Sequence, residues 1–83
     1  MSQGRLEQLR SELDSVNLQL LELLSERARL AQEIGQEKQK QGVPNFDPVR
    51  EKKMLAALVE HNHGPFDNET VRHLFKQIFQ ASL

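Results

Sequence analysis

The chain has no cysteine, tryptophan or tyrosine, and its aromatic residues are four phenylalanines. Without cysteine it can form neither a disulfide nor a thiolate-ligated metal site. His61 and His63 are spaced like metal ligands, but the pattern offers no third ligand. We therefore predict no metal and no cofactor. The missing cysteines also fit a cytoplasmic protein, which is the location that we expect.

The chain also lacks an excess of one charge and a long hydrophobic run. Its 11 basic residues balance 12 acidic ones, and the net charge is −1. A general electrostatic attraction to nucleic acid is therefore absent, and a nucleic-acid-binding arm is a poor alternative. No apolar run approaches the roughly 20 residues that cross a bilayer, and the polar N-terminus is no signal peptide. We predict neither a nucleic-acid nor a membrane partner.

Apolar residues are scarce as well, at 37% of the 83 positions. A monomer of this size and composition would have a thin core, which favours association with another chain. We treat residues 1–83 as one domain. Because an apolar helical pattern runs to Leu83, we expect this domain to belong to a longer protein.

The longest pattern present is a heptad repeat from Leu6 to Lys40, which predicts one long helix. Its seam is formed by Leu6, Leu9, Leu13, Val16, Leu20, Leu23, Leu30 and Ile34. Met1 to Gly4 are expected to fray. At about 1.5 Å per residue the helix is a rod of roughly 50 Å, whereas a compact chain of this length has a radius of gyration of only about 12 Å. The rod is too long for its own chain to cover, so we predict a dimer.

Two shorter helices follow. Gly42 is a plausible C-terminal stop for the first helix, and Asp47-Pro48 is a strong start signal for the second, which runs to about Glu60. Val43 to Phe46 form the loop between the first two helices, and the buried stripe of the second helix is Met54, Leu55, Leu58 and Val59. Asp67 is the expected N-cap of the third helix, whose apolar face is formed by Val71, Leu74, Phe75, Ile78 and Phe79. We see no strand pattern, so the predicted fold is all-α, with one long and two shorter helices in an intertwined homodimer.

The long helix carries cationic residues that could bind an anion, and one of them interrupts the apolar seam. Arg27 occupies a seam position, and Lys38 follows eleven residues later, about 20° away in azimuth and roughly 16 Å along the axis. The two side chains can converge on one anion. Arg10 lies about 25 Å from Arg27 on the same helix. In an antiparallel pair, Arg10 of one subunit would approach Arg27 of the other, and each dimer would hold two shared sites.

A second polar cluster lies at the start of the second helix, where Asp47, Arg50 and Glu51 come together. Glu51 shares a helix face with apolar residues, so its carboxylate needs a hydroxyl or a cation. Ser82 continues the apolar face of the third helix and is expected to point inward. These residues suit an anionic ligand that carries a hydroxyl group. They include no nucleophile–base pair.

Each of these residues also has a simpler structural explanation. Arg27 can set helix register or extend its charge to the surface, Lys38 is favoured by the helix dipole, and Asp47 caps a helix. Arg50, Glu51 and Ser82 can be ordinary surface or helix-end residues.

Taken together, the chain resembles the all-α class of chorismate mutases along nearly its whole length. The resemblance rests on Leu9-Arg10, Leu20 to Ile34, Gly35 to Lys38, Asp47 to Glu51 and Leu74 to Ser82. The Gly64-Pro65-Phe66 turn and the last ten residues look closest to one branch. In that branch the mutase is the N-terminal domain of a 3-deoxy-D-arabino-heptulosonate-7-phosphate (DAHP) synthase, which would be the partner domain here.

The resemblance implies intertwined helical dimers that rearrange chorismate to prephenate in aromatic amino acid biosynthesis. This intramolecular Claisen rearrangement needs no nucleophile, metal or general base. By family position, Lys38, Arg27 and Glu51 would be catalytic. Substrate binding would involve Arg10 of the partner, Arg27, Lys38, Asp47, Arg50, Glu51 and Ser82. The family pattern places a Gln or Glu about one turn beyond Ser82, and with the printed sequence ending at Leu83 we expect turnover to be slow.

Two other functions stay open at this point. The domain could be a regulatory module that senses chorismate or prephenate and has little activity of its own. It could also be a plain helical dimerisation domain, which would bind no ligand.

Overall fold

Three α-helices make up the chain in a computed structural model that describes the backbone of residues 2–82 and the side chains of residues 4–82. They are α1 (Ser2–Gln41), α2 (Pro48–Glu60) and α3 (Asn68–Ala81). No strand occurs within the described residues, and the predicted all-α class is confirmed. The predicted dimer is not tested by a single chain. No helix in this part of the chain combines the length and the apolar character that crossing a membrane requires.

Helix α1 starts earlier than predicted, at Ser2 rather than beyond Gly4. Ser2 to Gly4, where fraying was expected, are helical, because once a helix exists each added residue gains a hydrogen bond and nucleation carries the main cost. Met1 lies outside the described residues. The end of α1 was predicted correctly. The Val43 N–H donates to the Lys38 carbonyl at 2.9 Å, and the Gly42 N–H donates to the Gln39 carbonyl at 3.2 Å. This is a Schellman motif, and it requires the positive φ of 71° that Gly42 adopts.

Both shorter helices are capped as predicted. The Arg50 N–H donates to Asp47 Oδ1 at 3.1 Å, and Pro48 occupies the first turn of α2. At α3 the Thr70 N–H donates to Asp67 Oδ1 at 2.8 Å. The side-chain and backbone hydrogen bonds of Thr70 stabilise the charged carboxylate of Asp67 and lower its pKa below the ordinary value.

Helices α2 and α3 pack against each other, and the core of the described chain is small. Val71 and Phe79 are its buried hydrophobic residues, at 8% and 7% exposure. Met54 and Leu74, which the helical pattern placed on buried faces, are each 43% exposed. Their faces are apolar as predicted, but a single copy of the chain does not cover them.

The N-terminal half of α1 extends beyond this core. Every described side chain from Gly4 to Leu23 is exposed, including the apolar seam. The molecule measures 61 × 24 × 16 Å, and its radius of gyration is 17.0 Å, against about 12 Å for a compact chain of this length. The predicted rod is therefore present and uncovered.

Candidate active site

A cavity of about 420 Å³ lies where the C-terminal half of α1, the first turns of α2 and the end of α3 meet. Its lining combines polar, charged and apolar side chains. The polar and charged ones are Arg27, Lys38, Asn45, Asp47, Arg50, Glu51 and Ser82, and the apolar ones are Leu30, Ala31, Ile34, Met54 and Phe79. Six of the seven site residues predicted from the sequence thus line one cavity.

Arg27 is held by α3 although it belongs to α1. Its Nη1 donates a 2.9 Å hydrogen bond to Ser82 Oγ, and the Ser82 hydroxyl donates to the Ile78 carbonyl at 2.9 Å. The Arg27 Cζ lies 4.8 Å from the centroid of the Phe79 ring. Arg27 and Ser82 are both partly buried. Ser82 therefore points inward, as its place on the apolar face predicts.

Lys38 joins α1 to the loop that precedes α2. Its Nζ donates to the backbone carbonyl of Asn45 at 3.2 Å. The Asn45 side chain lies close to Gly35, where a Cβ atom would meet Asn45 Oδ1 at 3.4 Å. The loop therefore packs within contact distance of α1, with room for a Cβ atom at Gly35. Lys38 is thus in the last turn of α1 and also lines the cavity.

The first turn of α2 supplies the two carboxylates of the cavity. Asp47 caps the helix with Oδ1, and Glu51 is partly buried one turn later. Arg50 lines the same cavity and stays exposed. The capping explanation for Asp47 is therefore correct. Since the cap uses only Oδ1, it is compatible with the second carboxylate oxygen of Asp47 lying at the cavity.

The electrostatics of the cavity leave its cations available. Within the described part of the chain, the salt bridge present joins Lys40 to Glu37 at 4.0 Å, outside the cavity. The side chains of Arg27, Lys38 and Arg50 make no such bridge there. Three cations and two carboxylates in a partly apolar cavity suit a small anion that also offers a hydroxyl, because cations bind carboxylates and carboxylates accept from hydroxyl groups.

Arg10 is the one predicted site residue that does not line this cavity. It is exposed, and it lies 17 residues before Arg27 on the same helix. An α-helix advances about 1.5 Å per residue, which puts Arg10 roughly 25 Å away. Arg10 of the same chain cannot reach the cavity, so its predicted role depends on a second subunit.

Two cavity residues that contact the predicted cations, Phe79 and Asn45, were missed by the sequence-based prediction. Phe79 was assigned only to the apolar face of α3, and Asn45 only to a loop. The spacing of Phe79 and Ser82, three residues apart on one helical face, was a usable signal that the two side chains meet a common neighbour. No local pattern could indicate Asn45, because its contacts with Lys38 and Gly35 arise from the path of the loop.

A second, more open groove of about 560 Å³ adjoins the first. Ala31, Asn45 and Ser82 line both of them, and the rest of the groove is formed mainly by glutamines of α1. It contains none of the predicted cations, so it offers no anion site. The chemistry indicated by the sequence belongs to the smaller cavity.

Comparison with known proteins identifies relatives that match almost the whole chain. The bifunctional chorismate mutase/prephenate dehydratase of Pseudomonas aeruginosa is 38% identical over 86 residues, covering 98% of this chain and 24% of the relative. The protein of the same name from Aquifex aeolicus is 35% identical, covering 94% of this chain and 23% of the relative. The chain therefore spans about a quarter of the length of these bifunctional relatives.

The second activity in these names differs from the fusion that the resemblance implied. It is prephenate dehydratase and not DAHP synthase. The predicted DAHP synthase branch gains no support from these relatives, because sequence features of a mutase domain report its own fold and site rather than the domain fused to it.

A solved structure gives the same family. The chorismate mutase of Thermus thermophilus superposes with a TM-score of 0.93 at 56% identity, and the match covers 95% of this chain and 99% of that one. The family model for chorismate mutase type II matches residues 9–83. The sequence-based identification is confirmed: this chain belongs to the chorismate mutase type II family of enzymes.

Proposed function

We propose that this chain converts chorismate to prephenate in the cavity around Arg27 and Lys38. The observation that carries the proposal is the meeting of Arg27, Lys38, Asp47, Arg50, Glu51 and Ser82 at one cavity of about 420 Å³. Chorismate carries two carboxylates and a ring hydroxyl, which match the cations and carboxylates of this lining. The cavity falls within the range of about 300–1,000 Å³ that is usual for small-molecule sites.

The reaction breaks one ether C–O bond and forms one C–C bond within a single molecule. The protein therefore has to hold the reacting ends together and stabilise negative charge that grows on the ether oxygen. Arg27 binds one carboxylate through its planar N–H donors. Lys38 donates to the ether oxygen and to a carboxylate. Glu51 and Asp47 accept the ring hydroxyl, Arg50 supports them, and Ser82 lies near the ring carboxylate.

A second copy of the chain completes the site in this proposal. The seam of α1 from Leu6 to Leu23 is uncovered, and antiparallel pairing of two α1 helices would bury it. The same pairing carries Arg10 of the partner toward Arg27, where it can bind the second carboxylate. The dimer would hold two equivalent sites, each built from both subunits.

The finer predictions about the whole protein stay predictions. Fusion to a DAHP synthase domain, control of that domain by chorismate or prephenate, and a cytoplasmic location were expected from the sequence. The regulatory alternative uses the same cavity as the enzyme. The regulatory module would bind chorismate or prephenate without converting chorismate, whereas the enzyme would do both.

Turnover of chorismate tests the proposal directly. The chain is mixed with chorismate, and chromatography follows the loss of chorismate and the formation of prephenate. We expect the Lys38→Ala variant to lose roughly 10²–10³-fold in kcat/KM, as for removal of one donor to a developing oxyanion. Lys40→Ala, two residues away and outside the cavity, is the matched control and should stay close to the unsubstituted chain.

Three results would count against the proposal or change it. Absence of both turnover and prephenate binding by calorimetry would overturn it. Binding without turnover would favour the regulatory module. Equal losses in the Lys38 and Lys40 variants would show that the cavity is not the site.

A further inference from the structure

The guanidinium of Arg27 lies over an aromatic face rather than beside a carboxylate. Its Cζ is 4.8 Å from the centroid of Phe79, inside the roughly 6 Å over which a ring face attracts a cation. Phe79 is 7% exposed, so its ring is almost fully shielded from water. Cation–π attraction is stronger at such shielded positions than at exposed ones.

Contacts on two different sides set the orientation of this guanidinium. Phe79 covers its face, and Ser82 accepts from one edge through Nη1 at 2.9 Å. Both residues belong to α3, and Ser82 is itself anchored to the Ile78 carbonyl. Phe79 packs in turn on Phe75, with ring centroids 6.2 Å apart and planes tilted by 58°. One helix therefore restricts both the tilt and the rotation of the Arg27 head group.

The two contacts leave most of the guanidinium available for a ligand. An arginine carries five N–H donors in one plane, and carboxylates bind along the edges of that plane. A ring on the face does not compete with a carboxylate at an edge. Among the described residues only Ser82 accepts a hydrogen bond from the Arg27 side chain.

We propose that Phe79 is a positioning residue that orients Arg27 for the substrate carboxylate before the substrate arrives. The proposal rests on the proposed function. The ring also offsets part of the arginine charge while the site is empty, when no described carboxylate forms a salt bridge with Arg27. Because Arg27 binds its carboxylate in the substrate and in the transition state alike, loss of the positioning should raise KM more than it lowers kcat.

The test removes the negative ring face in two ways. Phe79→Leu replaces the ring by an aliphatic side chain. Phe79→pentafluorophenylalanine, introduced by chemical synthesis, keeps the shape of the ring but reverses its quadrupole. We expect both variants to raise KM roughly 3- to 30-fold, with kcat changed much less. Phe75→pentafluorophenylalanine is the matched control, because that ring packs on Phe79 while the described cation–π contact of Arg27 is with Phe79. The KM of this variant should stay near that of the unsubstituted chain.

A direct contact between Phe79 and the substrate has to be distinguished, because Phe79 also lines the cavity. Phe79→pentafluorophenylalanine is therefore combined with Arg27→Gln, and prephenate affinity is measured by NMR titration, which detects weak binding. If Phe79 acts through the arginine charge, the ring substitution causes no further loss in the Arg27→Gln chain. A direct contact predicts the same loss in both backgrounds.

The outcomes separate this inference from the function on which it rests. An active chain whose KM is unchanged by pentafluorophenylalanine at position 79, or a loss that persists with Arg27→Gln, overturns the positioning role alone. An unsubstituted chain that neither binds prephenate nor turns over chorismate overturns the proposed function. Circular dichroism and unfolding of each variant identify a variant that fails to fold, and the fluorinated chains, which keep an aromatic ring in the core, then decide.

Discussion

Arg27 is the residue at which the structural and functional explanations of this chain differ most. In a plain dimerisation domain it would be a polar interruption of an apolar seam, and Arg27→Leu would be tolerated or even stabilising. In the proposed site it is held ready for a carboxylate by Ser82 and Phe79. The first explanation predicts that there is no ligand binding to lose, whereas the second predicts that ligand binding is lost with Arg27.

Replacement of Arg27 by alanine is therefore expected to weaken prephenate binding by roughly 2–5 kcal/mol, as for a shielded charge pair that loses one member. Isothermal titration calorimetry measures the change. Arg29→Ala is the matched control, because Arg29 is exposed two residues further along α1 and does not line the cavity. Equal weakening in both variants would mean that general positive charge, and not the cavity, binds the ligand.

Gly35 inside α1 and Gly42 just after its end show how position decides the effect of one glycine substitution. Gly42 adopts a φ of 71° in the Schellman motif, whereas Gly35 lies inside the helix with ordinary backbone angles. We expect Gly42→Ala to lower the free energy of unfolding by about 1–2 kcal/mol, because the left-handed conformation is strained for a residue with a Cβ. Urea denaturation measures it.

Gly35→Ala provides the comparison for this experiment. A Cβ at Gly35 meets Asn45 Oδ1 at 3.4 Å, an ordinary contact distance, and alanine favours the helix over glycine by about 1 kcal/mol. This variant should be slightly more stable than the unsubstituted chain. If Gly42→Ala and Gly35→Ala change the free energy of unfolding in the same direction, the backbone conformation of the two glycines does not decide the effect.

The cap of α3 makes stability depend on pH in acid. The folded-state pKa of Asp67 is lowered below 3.8 by its hydrogen bonds with Thr70. Its contribution is therefore fully present above the unfolded pKa and is lost as the pH falls through the folded one. Asp67→Asn keeps a capping oxygen but cannot ionise.

We expect the melting temperature of the unsubstituted chain to exceed that of Asp67→Asn near neutral pH, and the difference to shrink below about pH 4. Thermal melts followed by circular dichroism across this range measure it. Glu33→Gln, at an exposed position of α1, controls for the general loss of one negative charge. A difference that stays constant with pH would show that ionisation of Asp67 does not stabilise the helix.

The whole molecule is extended, and its length indicates a partner. Its longest dimension is 61 Å, and the apolar seam of α1 is left uncovered by the packing of one chain. We expect a dimer at micromolar concentration in sedimentation equilibrium, because burial of apolar surface contributes about 25 cal/mol per Å². A monomer at that concentration would exclude the shared site.

A mixed dimer tests the shared site itself. Chains carrying Arg10→Ala are paired with chains carrying Arg27→Ala. If each site takes Arg10 from one subunit and Arg27 from the other, one site of the mixed dimer is intact and the second lacks both arginines. Calorimetry should then show one normal site per dimer. Two equally weakened sites would show that each chain forms its site alone.

Local sequence was sufficient for most of the helices because caps, turns and apolar spacing act over a few residues. Asp47, Asp67 and Gly42 each stabilise a helix end through neighbours at most five residues away, and all three were assigned correctly. The start of α1 was placed too late, since no cap or breaker marks it in the sequence. The spacing from Arg27 to Glu51 likewise identified most of the candidate site through its resemblance to a family.

The remaining contacts depend on how the three helices pack. Ser82 and Phe79 meet Arg27 across more than 50 residues of chain, and Asn45 reaches Lys38 and Gly35 through the path of a loop. Helical periodicity gives the face on which a side chain lies, but not the element that covers that face. The residues of the site were therefore readable from the sequence, whereas the orientation of Arg27 by an aromatic ring required the packed structure.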